Sequence, residues 1–193
     1  MSVIAVKITP HEIVMGADTQ TTYGSNKILD SYYGKIFDIN GVYLGGVGTA
    51  YENQFLRRFL EEKRLPKNFE EKDFNNLMVD FHSFLSEKSK DNNTNIANAY
   101  IMVHNNKAFI FDNWLIREIQ DFESIGSGGE TARTAYEVFK QLGQDPDLET
   151  ILKVSCKVDL YCHEPLTIFR IPKVKEQATA HKSSKTTTQN QKS

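Results

Sequence analysis

The chain has 193 residues, with 23 lysines and arginines against 25 aspartates and glutamates, which gives a formal net charge of −2. This length fits one domain that can bury a substantial core. The balanced charge provides no positive field for phosphate or anionic lipid, and no apolar run approaches the roughly 20 residues of a membrane span, so we expect neither nucleic-acid nor membrane partners.

The first segments have the β-branched, apolar character of strands. Residues 3–6 and 13–17 predict two paired strands, with Pro10 between them. The start of the chain carries neither a basic leader nor a long apolar stretch, so we expect a cytoplasmic protein. Further along, Asn40-Gly41 lies between two apolar runs and predicts a two-residue hairpin turn, because this dipeptide readily takes positive φ angles.

The rest of the chain alternates between helical and strand patterns in blocks. Apolar side chains recur at helical spacing in residues 55–60 and 74–85, then strands are predicted at 96–103, 108–111 and 115–119, helices from Gly128-Gly129 and over 148–157, and a strand at 166–171. Such blocks favour two packed sheets with helices outside over alternating βαβ units. The domain is predicted to span 1–172, and the polar tail 173–193 to be disordered.

Ser2 is the first candidate for catalysis. Removal of Met1 would place a hydroxyl and a primary amine on this one residue, and the amine, with an ordinary pKa of about 7.7 to 8.0, can act as its own general base. Many proteins begin with Met-Ser, so Ser2 needs support from the rest of the chain.

That support comes from four segments that follow Ser2 in order: ADTQTTYG (17–24), GKIF (34–37), LGGVGTA (44–50) and IGSGG (125–129). Together they resemble the β-type proteasome family, most closely its bacterial HslV branch, over residues 2 to about 171. The resemblance implies an α+β fold, a four-layer αββα sandwich of two mainly antiparallel sheets that is typical of N-terminal nucleophile hydrolases. It also implies self-assembly into rings that enclose a proteolytic chamber.

The resemblance assigns roles to three residues around the nucleophile. Ser2 would attack the scissile carbonyl, and Lys35 would be a nearby cation that lowers the pKa of its hydroxyl and amine. Asp18, at the end of an apolar strand, would keep Lys35 charged and oriented, because a buried carboxylate needs a partner. The alternative for Asp18 and Lys35 is a loose pair at the surface.

By the same resemblance, the Gly45 N–H belongs to an oxyanion hole, and Tyr43 and Val47 line the pocket for the residue before the cut. A phosphate-binding loop is the competing interpretation of these glycines, but the segment lacks the GK[ST] ending and the GxGxxG spacing.

Ser127 would orient the terminal amine, although a serine in this glycine turn can equally cap the following helix. Asp159 would support the amine and Ser127, and Cys162 replaces a hydroxyl that the family usually has there. Some family members bind a cation through backbone carbonyls that correspond to Cys156, Asp159 and Cys162.

The sequence thus predicts an endopeptidase of the threonine-peptidase type with serine as nucleophile, which needs no cofactor for its chemistry. Its partners would be polypeptide substrates, copies of itself and an ATP-dependent unfoldase. Two alternatives stay open: a catalytically silent shell or scaffold subunit, and an amidase of the same fold that acts on small molecules.

Overall fold

The computed structural model describes residues 2–23, 26–28, 34–89 and 95–174. Within these ranges the elements are β1 Ile4–Ile8, β2 Glu12–Asp18, β3 Thr21–Tyr23, β4 Asn26–Ile28, β5 Ile36–Ile39, β6 Val42–Val47, α1 Ala50–Glu61, α2 Glu71–Ser89, β7 Ala99–His104, β8 Lys107–Asp112, β9 Leu115–Ile119, β10 Phe122–Ile125, α3 Gly129–Gln141, α4 Leu148–Val158 and β11 Leu166–Pro172. None of the described helices is long and apolar enough to cross a membrane.

One sheet has the strand order β10-β1-β2-β11, and every neighbouring pair is antiparallel. The predicted pairing of the first two strands is confirmed, with Ile4 opposite Ala17. The last strand runs along β2 and places Leu166 opposite Asp18. Residues from both ends of the described chain therefore meet at the end of β2.

The other large sheet has the order β5-β6-β7-β8-β9 and is also antiparallel throughout. Its first hairpin turns at Asn40-Gly41, where φ is 54° and 81°, as predicted. The turn between β7 and β8 uses two asparagines with positive φ, a conformation that asparagine tolerates better than most residues.

The layers follow the predicted αββα order. Apolar residues of β1 and β2, such as Ile4 and Met15, pack against Ile101 of β7 and its neighbours between the sheets. Helices α1 and α2 cover the outer face of the five-stranded sheet, and α3 and α4 cover that of the four-stranded sheet. The α+β sandwich is confirmed, and each sheet is buried on both faces.

Strand β10 and the short β3–β4 hairpin were not predicted. Beyond β11, Lys173 N–H donates to the His11 carbonyl at 2.9 Å, and Val174 exchanges hydrogen bonds with Asn106. The remainder of the predicted tail, 175–193, lies outside the described residues, as does most of the loop between Gly24 and Lys35.

Candidate active site

The Asp18 carboxylate is the centre of the site. Its side chain is fully buried at the end of β2, and each of its oxygens accepts two hydrogen bonds. Oδ1 accepts from the Val3 N–H at 2.8 Å and from Lys35 Nζ at 2.7 Å. Oδ2 accepts from the backbone N–H groups of Gln20 at 3.0 Å and His163 at 3.3 Å. All four lone-pair positions are used, so the carboxylate has one fixed orientation.

Lys35 precedes β5 and is mostly buried, with 10% of its side chain exposed. Burial lowers the pKa of Lys35 from its ordinary value, and the charge and hydrogen bond of Asp18 oppose that shift. The two residues therefore form a buried ion pair rather than a loose pair at the surface.

A cavity of about 150 Å³ brings the predicted nucleophile and the cation together. Ser2 and Lys35 both line it, alongside Gln20, Thr21, Gly46 and Gly48. The chain start, the end of the first sheet and the glycine segment of β6 thus share one wall. This cavity leaves room for a side-chain-sized group next to Ser2 and Lys35.

The glycines of β6 and the turn after it face different directions. A Cβ on Gly45 would lie 2.6 Å from Met15 Cε, so this residue faces the core between the sheets. The Gly46 N–H donates to the Lys35 carbonyl at 3.3 Å. Because N–H groups alternate sides along a strand, the Gly45 N–H points to β7, away from Lys35. The structure places Gly46 and Gly48, rather than Gly45, on the cavity wall.

Tyr43 and Val47 lie outside the cavity lining. The Tyr43 ring contacts Phe169 with 5.5 Å between centroids, and burial together with Asp38 raises its pKa. Val47 packs close to Gly126. Their contact with substrate stays a prediction.

Ser127 lies beside the backbone of Ser2, and its orientation of the terminal amine stays a prediction. Its Oγ lies 3.5 Å from the Ser2 carbonyl oxygen and 3.4 Å from Asp159 Oδ1. Asp159 also accepts the Tyr161 N–H at 2.7 Å, which fixes its loop. Helix α3 has Gly128 as its N-cap and no side-chain cap, so Ser127 does not act as the helix cap.

The IGSGG segment needs glycine where it meets Ser2. Gly126 has φ of 96°, and a Cβ there would overlap the Ser2 carbonyl oxygen. The Gly128 N–H donates to that same oxygen at 3.2 Å. The backbone of Ser2 is thereby held from the side opposite the contact between Asp18 and Val3.

The two cysteines are not activated as nucleophiles. Burial raises the pKa of Cys162 to about 12 and that of Cys156 to about 11, so both are protonated near neutral pH and neither offers a thiolate nucleophile.

The carbonyls considered for a cation belong to Cys156, Asp159 and Cys162, and none of these residues lines the cavity. The Asp159 carbonyl accepts the Cys162 N–H at 3.3 Å. A cation bound by their carbonyls stays a prediction. Among the described residues, no group of three His, Cys, Asp or Glu side chains is placed to hold a metal ion.

Sequence reasoning missed the polar residues behind the glycine segment. Asn53 lines the cavity and donates to the Gly46 carbonyl at 2.9 Å. Glu52 and Asn98 are buried next to it. In the sequence, Glu52 looks like an ordinary acid in the first turn of a helix, and no signal sets it apart.

Comparison with known proteins adds the fold relationship. No family model and no curated protein matches the chain. Among solved structures, BPH from Thiobacillus denitrificans in complex with epoxomicin superposes with a TM-score of 0.78 at 16% identity, covering 90% of this chain and 100% of that chain. A second structure of the same protein gives 0.74 at 16% identity, covering 88% and 97%.

The eukaryotic HslV from Trypanosoma brucei superposes with a TM-score of 0.63 at 18% identity, covering 88% of this chain and 99% of that chain. The chain therefore has the fold of HslV over most of its length, as the sequence resemblance predicted.

Proposed function

We propose that this chain is a proteasome-like peptidase subunit that cuts polypeptides with Ser2 as an N-terminal nucleophile. The observation that carries the proposal is the Asp18 carboxylate, because its Oδ1 accepts both the Lys35 ammonium and the N–H of Val3, the residue next to Ser2. One buried group thus ties the chain start to the cation. The fold shared with HslV supports this function, as does a similar structure in complex with epoxomicin.

Removal of Met1 is part of the proposal, because it exposes the α-amine of Ser2. The amine takes the hydroxyl proton while Ser2 Oγ attacks the carbonyl carbon of the scissile peptide bond. Collapse of the tetrahedral intermediate passes that proton to the leaving amine and leaves an ester on Oγ. Attack by water, with the amine again as base, releases the carboxylic acid and regenerates Ser2.

Lys35 supplies the electrostatic part of this chemistry. Its ammonium shares the small cavity with Ser2, where a positive charge stabilises the negative charge that develops on the hydroxyl and favours the unprotonated amine. Burial alone would make Lys35 easier to deprotonate, and the Asp18 carboxylate counters this tendency. Asp18 therefore keeps the cation charged as well as oriented.

We assign the oxyanion donor to the Gly48 N–H in place of Gly45. Gly48 lines the cavity, whereas Gly45 faces the core. The Gly46 N–H is already donated to the Lys35 carbonyl. A backbone donor of this type contributes about 3 to 4 kcal/mol to transition-state stabilisation.

Ser127 and Asp159 orient the α-amine from the other side. The Ser127 hydroxyl lies 3.5 Å from the Ser2 carbonyl oxygen, and Asp159 Oδ1 lies 3.4 Å from that hydroxyl. Cys162 offers no comparable hydroxyl, so this side of the site depends on the Ser127 contact. We assign no step to a cation.

The proposed substrate is an extended polypeptide, since a cavity of about 150 Å³ admits a side chain but no folded domain. Assembly into rings and feeding by an ATP-dependent unfoldase, both implied by the sequence resemblance, complete the proposal. A cytoplasmic location fits such a machine.

Intact mass spectrometry with and without a β-lactone probe tests the proposal on wild type and on Ser2→Ala. Alanine at this position still permits removal of Met1, so the variant isolates the hydroxyl. We expect a wild-type mass without Met1 and one ester adduct that Ser2→Ala lacks. A mature chain that retains Met1, or equal labelling of both proteins, would refute the assignment and favour a silent scaffold subunit.

Light scattering combined with activity assays separates the peptidase from the small-molecule amidase. A ring-sized assembly that degrades casein supports the peptidase. A small oligomer that hydrolyses only low-mass amides would overturn it.

A further inference from the structure

A buried acid stands behind the glycine segment of the cavity wall. Glu52, in the first turn of α1, is fully buried and accepts hydrogen bonds from the Ala97 N–H at 3.1 Å, the Asn98 N–H at 3.0 Å and the Tyr100 hydroxyl at 2.9 Å. No lysine or arginine among the described residues pairs with it. The amino-terminal end of a helix favours negative charge, and these three donors satisfy the carboxylate.

Asn98 links the Glu52 carboxylate to the turn after β6 through hydrogen bonds. Its side chain is buried, and its Oδ1 accepts the Thr49 N–H at 2.7 Å while its Nδ2 donates to the Thr49 carbonyl at 2.9 Å. Nδ2 also donates to Asn53 Oδ1 at 2.8 Å, and Asn53 Nδ2 in turn donates to the Gly46 carbonyl at 2.9 Å. Each amide has a single orientation that satisfies these partners.

The two amides also touch the glycines directly. A Cβ on Gly48 would overlap Asn98 Oδ1, and a Cβ on Gly46 would overlap Asn53 Oδ1. Backbone residues on both sides of Val47 are therefore held by hydrogen bonds and by close contact with the same two side chains. A shift of either amide must move the cavity wall.

We propose that Glu52 is a positioning residue, which acts through Asn98 and Asn53 to fix the backbone of residues 46–49 against the cavity. Its consequence for catalysis rests on the proposed function, since this segment carries the assigned oxyanion donor. Glu52 lies behind the wall and touches neither Ser2 nor Lys35. Loss of its charge should therefore slow acylation and leave the acid–base groups unchanged.

The test compares Glu52→Gln with the control Glu61→Gln. Glu61 lies on the same helix, but its side chain is half exposed and forms a surface pair with Arg57 at 3.4 Å. Glutamine at position 52 keeps the size of the side chain but turns an amide NH₂ toward at least one of three donors. Two quantities are measured on the full chain: hydrogen–deuterium exchange of the backbone at 45–49, and the rate of Ser2 acylation by a β-lactone across pH.

We expect exchange at 46–49 to accelerate about tenfold to hundredfold in Glu52→Gln, because a hydrogen bond to a charged group is lost. The acylation rate should fall by a similar factor, since a small displacement of a catalytic group costs up to about a hundredfold. The midpoint of the pH dependence of the acylation rate should stay at the wild-type value. Identical exchange and rates in Glu52→Gln and Glu61→Gln would overturn the proposal.

A second variant covers the case in which Glu52→Gln does not fold. Asn53→Ala, at a partly exposed helix position, removes the hydrogen bond to the Gly46 carbonyl and the one that Asn53 accepts from Asn98. Unchanged exchange at 46–49 in this variant would overturn the proposal. Absence of acylation in wild type would instead defeat the proposed peptidase, while the exchange data would still report on the role of Glu52.

Discussion

Replacing Asp18 by asparagine should destabilise the fold far more than its small chemical change suggests. The asparagine side chain has nearly the same shape, but an NH₂ group takes the place of one carboxylate oxygen. In one orientation the NH₂ group faces two donors, the Val3 N–H and Lys35 Nζ. In the other orientation it faces the N–H groups of Gln20 and His163. Two hydrogen bonds to a charged group are lost, at about 1.5 to 3 kcal/mol each, so the expected cost is about 3 to 6 kcal/mol.

Solvent does not reduce this cost, because the Asp18 side chain is fully buried and that of Lys35 nearly so. A loss of this size is a large part of the roughly 5 to 15 kcal/mol that stabilises a typical domain. Urea unfolding followed by Trp114 fluorescence, at one protein concentration, measures the change in free energy of unfolding.

The matched control is Asp80→Asn, which breaks an exposed lysine–aspartate pair, Lys63 to Asp80 at 3.0 Å. Exposed pairs contribute about 0 to 1 kcal/mol, so this variant should unfold close to wild type. If Asp18→Asn cost no more than Asp80→Asn, the fourfold coordination of the carboxylate would not describe the protein in solution.

Three further predictions concern the chemistry of the site. Lys35→Ala should abolish β-lactone labelling of Ser2 while circular dichroism shows a folded chain, and undiminished labelling would remove Lys35 from the mechanism. Burial lowers the pKa of Lys35, so as pH rises the wild-type labelling rate should start to decrease at a pH below the ordinary lysine pKa of about 10.4. A labelling rate that stays constant above that pH would contradict the requirement for a charged Lys35. Gly48→Ala should lose labelling and stability, since its φ is 132° and Asn98 fills the space of a Cβ. Gly41→Ala, with φ of 81° and open space, should lose only about 1 to 2 kcal/mol of folding stability and label normally.

Much of the fold could be predicted because its signals are local. The Asn40-Gly41 turn and the helical spacing of apolar residues in α1 to α4 depend on neighbouring residues only, and the structure has them where they were expected. A carboxylate at the end of an apolar strand predicts that Asp18 needs a partner, and the family resemblance identified Lys35 as that partner.

Strand β10 could not be predicted because its burial depends on distant charges. Glu123 is buried in the middle of this four-residue strand, where the sequence alone suggests a polar loop. Arg117 from β9 and Arg133 from α3 both form ion pairs with it. Only the tertiary structure brings these guanidinium groups to the strand, so no pattern within residues 122–125 predicts it.

The same limit applies within the candidate site. Which of the β6 glycines faces the cavity depends on the register of β6 with β5 and β7, and a run of glycines has no side chains to set a periodic pattern. Glu52 and Asn98 contact each other across 46 positions of sequence. Their partnership exists only after α1 has packed on the sheet.

The coordination of Asp18 also sets an order of events during synthesis. Val3 emerges from the ribosome early, but the His163 N–H that completes the carboxylate's partners is translated 145 residues after Asp18. A nascent chain thus cannot complete the coordination of Asp18 until residue 163 has been synthesised. Under the proposed function, a chain shorter than this would lack one of the four donors that fix the carboxylate next to the proposed nucleophile.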